Sequence, residues 1–171
     1  MTLHIFQPDT LATHHMARAL ANDGLMIDIG DIGYVGIDLC RTPADRARLL
    51  ALRLPQRVFV RESALFIYTG WHTPELQDHL DSLAPESVPG TDLAEVGGQL
   101  VTTLERTAID LMVSREEQGI ELLCLLIRAG TNVAQIERRA RHLHIHGIVR
   151  VREILSQLPH DLGAVPASQT P

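Results

Sequence analysis

The sequence contains no lysine, although it contains 15 arginines. A bias of this kind is typical of a GC-rich genome, and it carries no functional conclusion. Only two cysteines are present, Cys40 and Cys124. Two cysteines do not make a disulfide framework, and each lies in or beside an apolar segment. We therefore expect both to be small buried side chains in a reducing compartment.

Long apolar runs are absent too. No apolar stretch reaches 18 residues, which argues against a transmembrane helix. The first residues form neither a basic segment nor a long apolar one, so we expect no secretory signal. With 45% hydrophobic residues among 171, the chain is long enough to bury a core. We therefore predict a cytoplasmic globular protein of one domain or two small ones.

Motifs of common enzymes are also missing. The sequence has no G-x-x-x-x-G-K-[ST] phosphate-binding loop, no G-x-G-x-x-G after a strand and no G-x-S-x-G around a nucleophile. The carboxylate side chains are scattered along the chain. We therefore predict a protein that is not an enzyme, with no catalytic residues and no cofactor.

The segment of residues 101–111, VTTLERTAIDL, carries the strongest local signals. Thr102 and Glu105 have the spacing of a capping box, in which two side chains satisfy two backbone N–H groups at a helix start. Arg106 and Asp110 lie four residues apart, which places them on one helix face where they can pair. We predict that these four side chains form a structural clasp where a strand turns into a helix.

The same segment resembles the V-T-x-x-x-R-T-x-x-D-L motif of the AbiEi-like antitoxins of type IV toxin–antitoxin systems. It is equally similar to the front half of actinobacterial proteins that carry a C-terminal Vsr-like nuclease domain. Residues 24–36 and 58–70 resemble further family segments in the same order, and the likeness covers most of residues 16–158. It implies autoregulatory DNA binding through a winged helix and neutralisation of a nucleotidyltransferase-like toxin. The nuclease half would follow residue 158, so we expect no nuclease active site here.

Apolar periodicity predicts an α+β fold that is mainly helical. A helix from Pro8 to about Asn22 is followed by two apolar segments around Gly30 and Asp31, which indicate a hairpin. One helix and a hairpin correspond to the second half of a winged helix, which needs two helices before its wing. Residues 1–40 are therefore predicted to form a partial winged helix-like region.

The rest of the chain is predicted to form an antitoxin-like α+β domain at residues 41–158 and a frayed tail at 159–171. The domain should combine a small sheet with three C-terminal helices. Two paired strands are expected at Leu93–Val96 and Gln99–Thr102. Capping patterns and apolar faces predict helices at 114–129, at 132–147 and from Ile148 to Leu158.

Two groups of side chains are candidate DNA contacts. His14 and Arg18 lie on the helix before the hairpin, which touches base edges in the family that this chain resembles. The second group, called the basic cluster below, contains Arg138, Arg139, Arg141, Arg150 and Arg152.

Charge favours the basic cluster over the N-terminal region. The first forty residues carry one arginine and five aspartates, a net charge of −4, whereas residues 131–157 carry five arginines and two glutamates, a net charge of +3. Because phosphate contacts dominate affinity for DNA, we expect the basic cluster to contribute more to DNA binding than the wing. The alternative is that the cluster is only the solvated face of a helix pair.

Three histidines, His142, His144 and His146, alternate with apolar residues near the C-terminus. On a strand they would share a face and suit a metal ion. The surrounding pattern is helical, and on a helix only His142 and His146 share a face. We therefore predict no metal site.

The leading interpretation is a non-enzymatic protein that resembles an antitoxin or a transcriptional regulator. Its candidate partners are a nucleotidyltransferase-like toxin and operator DNA. We expect no membrane association. One alternative is a stand-alone relic of the nuclease-fused family that acts only as an interaction module. Another is a small metal-binding protein that uses the His142–His146 segment. The sequence does not indicate an oligomeric state.

Overall fold

The computed structural model describes residues 4–71, 80–160 and 162–163. Within these residues the fold is α+β and mainly helical, as predicted, with seven α-helices and six short strands. The chain divides into two compact units, an N-terminal unit of Met1–Thr102 and a C-terminal unit of Thr103–Pro171. The expected tail at 159–171 lies mostly outside the described residues.

The N-terminal unit contains a hairpin, a small mixed sheet and three helices. Its elements in chain order are α1 (Leu11–Asn22), β1 (Met26–Asp28), β2 (Tyr34–Gly36), α2 (Pro43–Arg53), β3 (Val58–Phe59), α3 (Arg61–Thr69), β4 (Ser82–Leu83), β5 (Leu93–Val96) and β6 (Gln99–Thr102). β1 and β2 form the antiparallel hairpin, and the other strands pair in the order β4-β3-β6-β5. β3 and β6 run parallel, whereas the remaining pairs are antiparallel. The predicted hairpin and the predicted β5–β6 pair are confirmed.

Local caps fix where the helices of this unit begin and end. The Thr10 side chain accepts a hydrogen bond from the Thr13 N–H at 3.2 Å, and the Thr42 side chain accepts one from the Asp45 N–H at 3.2 Å. At the end of α3, Gly70 takes a left-handed conformation with φ of 72°. Each of these caps satisfies backbone groups that a helix end leaves without partners.

The hairpin and the sheet of this unit share one apolar core. Ile27, Ile29 and Val35 of the hairpin region pack in the same buried cluster as Phe59 of β3 and Val101 of β6. The predicted boundary between residues 40 and 41 therefore does not coincide with the division at Thr102. The reason is tertiary, because the hairpin is too small to bury its own apolar face.

Arg46 donates four hydrogen bonds to backbone carbonyls of the N-terminal unit. Only 7% of it is exposed. Its Nε donates to the Ile67 carbonyl at 2.9 Å, and its Nη2 donates to the Tyr68 carbonyl at 3.2 Å. Its Nη1 donates to the carbonyls of Cys40 at 3.2 Å and Arg41 at 2.8 Å. One guanidinium on α2 therefore satisfies the carboxyl end of α3 and the chain that enters α2.

The C-terminal unit contains four helices within the described residues: α4 (Leu104–Ser114), α5 (Gly119–Ala129), α6 (Val133–Arg141) and α7 (Ile148–Ser156). α4 packs against the other three helices, and α6 also packs against α7. The Asn132 side chain accepts a hydrogen bond from the Gln135 N–H at 2.9 Å, as predicted for the start of α6. Leu122 and Leu126 of α5 are buried, and they place the inner face of that helix in the core.

Two predicted helix boundaries in this unit are wrong. Ser114 does not cap α5; it is the last residue of α4, and α5 begins at Gly119. α6 ends at Arg141 rather than near Gly147. The cause of the early end is Arg152, whose guanidinium donates to the Ala140 carbonyl at 2.9 and 3.0 Å and to the Leu143 carbonyl at 2.8 Å.

The outer face of α5 is exposed, although most of its residues are apolar. Cys124 is exposed, so the expectation that both cysteines are buried is wrong for this residue. Ile120, one turn before it, is 54% exposed. The residues that appear equally apolar in sequence therefore divide between an inner and an outer face.

Among the described residues no single helix has the length and apolarity of a membrane span. α5 and α6 reach that length and composition only as a pair, with a bend of 113° between them.

Replacing Arg46 tests whether its bonds stabilise the N-terminal unit. Arg46→Lys keeps the positive charge but loses the planar guanidinium, so buried carbonyls lose their donors. We expect the free energy of unfolding to fall by about 2–4 kcal/mol, measured by urea denaturation followed through Trp71 fluorescence. The control is Arg48→Lys on the same helix, where the side chain is 42% exposed and the change should stay within about 0.5 kcal/mol. Equal effects of the two substitutions would contradict this role.

The two cysteines should differ in reactivity. Burial, together with the nearby Asp45 carboxylate, raises the pKa of the Cys40 thiol to about 11, whereas Cys124 is exposed. At about pH 8, we expect Ellman's reagent to label one thiol in the native protein and both cysteines after denaturation. Cys124→Ser should abolish the native reaction, and Cys40→Ser should leave it intact. Labelling of two thiols in the native protein would show that the Cys40 environment is open.

The same pKa shift links stability to alkaline pH. The folded protein holds the Cys40 proton more tightly than the unfolded chain, in which the thiol has its ordinary pKa of 9.0. The thiol's contribution to stability is therefore complete below the unfolded value and is lost as the pH rises through the folded value of about 11. As the pH rises from the unfolded to the folded pKa of this thiol, the free energy of unfolding of the wild type should fall more steeply than that of Cys40→Ser.

Candidate functional site

α1 has two flanks with different chemistry, separated by the buried Ala17. His14 and Arg18 lie one turn apart along one flank, and Met16 and Leu20 lie one turn apart along the other. Ala17 is fully buried, whereas His14, Met16 and Arg18 are exposed. The sequence-predicted contacts His14 and Arg18 are therefore close to each other on one side of the helix.

The first flank borders a cleft of about 480 Å³. This cleft, called the polar cleft below, is lined by His14, Arg18, Asp28, Gly30, Asp31, Tyr34 and Arg53. Side chains from α1, the hairpin and α2 therefore meet in one place. Arg53 lies in no sequence motif, and Tyr34 lies in the family-like segment 24–36, where the resemblance gave it no role.

Tyr34 lies deep in the polar cleft. Only 2% of this residue is exposed, and its ring centroid lies 5.9 Å from that of His14, with the rings at 67°. Its hydroxyl makes no hydrogen bond to another described residue. Burial raises the pKa of the Tyr34 hydroxyl, and the nearby Asp28 carboxylate raises it further, while Arg18 acts in the opposite direction. The phenol is therefore a neutral hydrogen-bond donor rather than a base.

The carboxylates of the polar cleft already have partners inside the fold. The Asp28 Oδ1 accepts a hydrogen bond from the Gly30 N–H at 2.8 Å. Asp31 forms an ion pair with Arg53, whose Nη1 also lies 3.5 Å from the Ile29 carbonyl oxygen. The two hairpin aspartates thus repel a bound anion less than the sequence alone suggests, because Arg53 offsets one of them.

The second flank of α1 continues into an apolar patch, formed by Met16, Leu20, Leu25 and Ile37. The Leu25 N–H donates to the Leu20 carbonyl at 2.8 Å, and the Ile37 N–H donates to the Leu25 carbonyl at 3.1 Å. These bonds hold the members together. Met16 is 54% exposed, Leu25 56% and Ile37 41%. Sequence analysis missed this patch because nothing in the periodicity separates an exposed leucine from a buried one.

Two carboxylates lie beside the apolar patch. Asp23 ends α1 two residues before Leu25, and Asp38 follows Ile37 directly; both are exposed. The patch therefore combines apolar side chains at its centre with negative charge at its edge.

The basic cluster is only partly available to a ligand. Arg152 donates all its described hydrogen bonds to backbone carbonyls, and Arg139 is half-buried. Arg141 pairs with Glu137 at 2.7 Å, and this contact lowers the pKa of the glutamate. Arg150 pairs with Glu116 at 2.6 Å. Arg138, Arg141 and Arg150 remain exposed, so three of the five predicted contacts lie on the surface.

The three histidines lie outside the helices. His142 follows the last residue of α6, and His144 and His146 lie in the segment before α7. The premise that they share a helix is therefore wrong. In the described part of the chain, no group of three histidine, cysteine or carboxylate side chains is placed to hold a metal ion.

Only the Arg106–Asp110 pair of the predicted clasp forms, and the capping box expected from Thr102 and Glu105 does not. Arg106 Nε donates to both carboxylate oxygens of Asp110, at 2.9 and 3.0 Å. The helix cap is Thr103, whose side chain accepts from the Arg106 N–H at 3.3 Å. Thr102 is instead the last residue of β6 and is buried there. Glu105 accepts a hydrogen bond from the Thr131 hydroxyl at 2.8 Å, so it joins two helical segments rather than completing a capping box.

The contacts of the clasp and of the basic cluster are structural in character, whereas the polar cleft and the apolar patch are open surfaces of the N-terminal unit. The likeness to the AbiEi-like antitoxins rests on short segments of the sequence. No protein-family model, no curated protein and no solved structure matches this chain.

Proposed function

We propose that this chain is a cytoplasmic, non-enzymatic regulatory protein of the antitoxin-like type, which acts by binding another protein through the apolar patch. The observation that carries the proposal is the exposure of Met16, Leu25 and Ile37 on one connected surface. Leaving such side chains in water forgoes the free energy of burying them, about 25 cal/mol for each Å². Contiguous apolar surface is typical of a site that a partner covers.

The charge around the patch indicates what kind of partner fits. Asp23 and Asp38 lie at its edge, within a region of net charge −4 over the first forty residues. A partner that presents apolar side chains surrounded by lysine or arginine would complement this surface. A symmetric dimer through the patch would bring the carboxylates of the two copies together, which disfavours self-association.

The antitoxin-like resemblance assigns this partner role to a nucleotidyltransferase-like toxin. Such a protein would be encoded by the reading frame next to that of this chain. An interaction module without a toxin would use the same patch, so the two alternatives differ in the identity of the partner and not in the surface that binds it.

The patch can be tested by titrating the purified chain with the neighbouring nucleotidyltransferase-like protein in a calorimeter. Leu25→Ser/Ile37→Ser removes apolar contact area at the centre of the patch and should weaken binding at least about tenfold. The matched control is Val149→Ser, which changes an apolar residue of the C-terminal unit that is 63% exposed. Undiminished binding by the double variant, or a wild type that dimerises through the patch, would contradict the proposal.

Operator DNA is a second candidate partner, and the surface exposure of the basic cluster favours it. Arg141 and Arg150 are 67% and 59% exposed, and their ion pairs with glutamates are of the surface type that contributes at most about 1 kcal/mol. Phosphates can therefore replace the glutamates as partners of these arginines. Arg138, on the exposed side of α6, adds a third cation.

A salt titration of binding to a duplex from the upstream region tests this candidate. Each lost phosphate contact reduces the slope of log K against log salt by about 0.9. Arg138→Ala/Arg150→Ala should therefore flatten the slope by about two contacts, whereas Arg18→Ala should leave it nearly unchanged. A larger change from Arg18→Ala would move the DNA contact to the N-terminal unit.

A further inference from the structure

The polar cleft contains two hydrogen-bond donors that nothing in the described fold uses. The Tyr34 hydroxyl makes no hydrogen bond to a described residue and is open to the cleft, and the Arg18 guanidinium has neither a hydrogen bond nor an ion pair with a described residue. His14, in edge-to-face contact with Tyr34, adds an imidazole to the same wall. Donors from α1 and from the hairpin therefore converge on one cleft without partners in the described fold, which is an arrangement typical of a small-molecule site.

The donor set determines the chemistry of the ligand's anionic group. A guanidinium, a phenol and an imidazole can together donate to several oxygens of one phosphate. The elevated pKa of Tyr34 keeps the hydroxyl protonated and able to donate. Arg53 is paired with Asp31, so Arg18 is the cation that remains for the anion.

The net charge of the lining limits the ligand to a small anion. Two arginines, Arg18 and Arg53, are balanced by two aspartates, Asp28 and Asp31. A polyanion such as a triphosphate or a nucleic-acid duplex would meet repulsion from the aspartates. A molecule with one phosphate monoester group and an otherwise neutral, polar structure is compatible with this neutral lining.

The size and the rings of the cleft indicate the rest of the ligand. A volume of about 480 Å³ is far larger than a single phosphate needs and lies in the range of ordinary small-molecule sites. The exposed His14 ring, in edge-to-face contact with the buried Tyr34 ring, offers aromatic surface against which a planar heterocycle can pack. Carboxylate oxygens in the same cleft can accept from hydroxyl or amino groups of the ligand.

We propose that the polar cleft is a binding site for a nucleoside monophosphate, with Arg18, His14 and the Tyr34 hydroxyl on the phosphate. This role goes beyond the proposed function, because the cleft and the apolar patch lie on opposite flanks of α1. Binding here involves no covalent step, and it leaves the apolar patch free for a protein partner.

The probes for this site are the four common ribonucleoside monophosphates, titrated against the full chain by calorimetry. At least one should bind, and its parent nucleoside and inorganic phosphate should bind about tenfold more weakly or worse, because each lacks half of the contacts. The corresponding triphosphate should also bind more weakly, because its extra charge meets Asp28 and Asp31. Failure of all four monophosphates to bind would overturn the proposal, as would tighter binding of the triphosphate.

Three substitutions locate the binding. Tyr34→Phe removes only the hydroxyl and should reduce affinity about tenfold, without loss of stability because that hydroxyl bonds to no described residue. Arg18→Gln should reduce affinity at least as much. Arg48→Gln is the control, since Arg48 lies on α2 outside the cleft and its replacement should change nothing. Wild-type affinity in both Tyr34→Phe and Arg18→Gln would place any nucleotide elsewhere and refute the site, whatever the outcome for the apolar patch.

Discussion

Each unit of this protein depends on one arginine that donates hydrogen bonds to backbone carbonyls at the end of a helix. Arg46 bonds to the end of α3 in the N-terminal unit, and Arg152 bonds to the end of α6 in the C-terminal unit. The last carbonyls of a helix have no partner within it and carry the negative end of its dipole. A guanidinium meets both needs of the helix end: its positive charge faces the negative end of the dipole, and its several N–H donors, fixed in one plane, bond to the free carbonyls.

The position of Arg46 has consequences for the candidate site. It ties α2 to the end of α3, and α2 packs in the same core as the hairpin residues Ile27 and Val35. Arg53, at the far end of α2, then reaches the hairpin and pairs with Asp31 beside the polar cleft. The cleft is therefore assembled by elements whose mutual placement depends on buried contacts distant from it, which is how rigid scaffolds hold binding residues.

α1 has two flanks of different chemistry, and one buried residue separates them. Ala17 is buried, and residues one turn apart on either side of it form a polar flank and an apolar flank. The polar flank supplies His14 and Arg18 to a cleft with a buried phenol, while the apolar flank joins Leu25 and Ile37. A short helix of this kind can serve two ligands of different chemistry, because helical spacing sends neighbouring residues to different faces.

Features with local signals could be predicted from the sequence. The caps at Thr10, Thr42 and Asn132, the β5–β6 pair and the Arg106–Asp110 ion pair all follow from residues within one turn or one hairpin. Contacts between elements decide which threonine caps α4, where α6 ends and which face of α5 is exposed. Thr102 is held by strand pairing, so Thr103 caps α4 instead. α6 ends where the guanidinium of Arg152, eleven residues beyond Arg141, donates hydrogen bonds to the last carbonyls of the helix. The polar cleft likewise depends on Tyr34 and Arg53, which are distant from α1 in sequence; their meeting is set by packing, which local pattern does not encode.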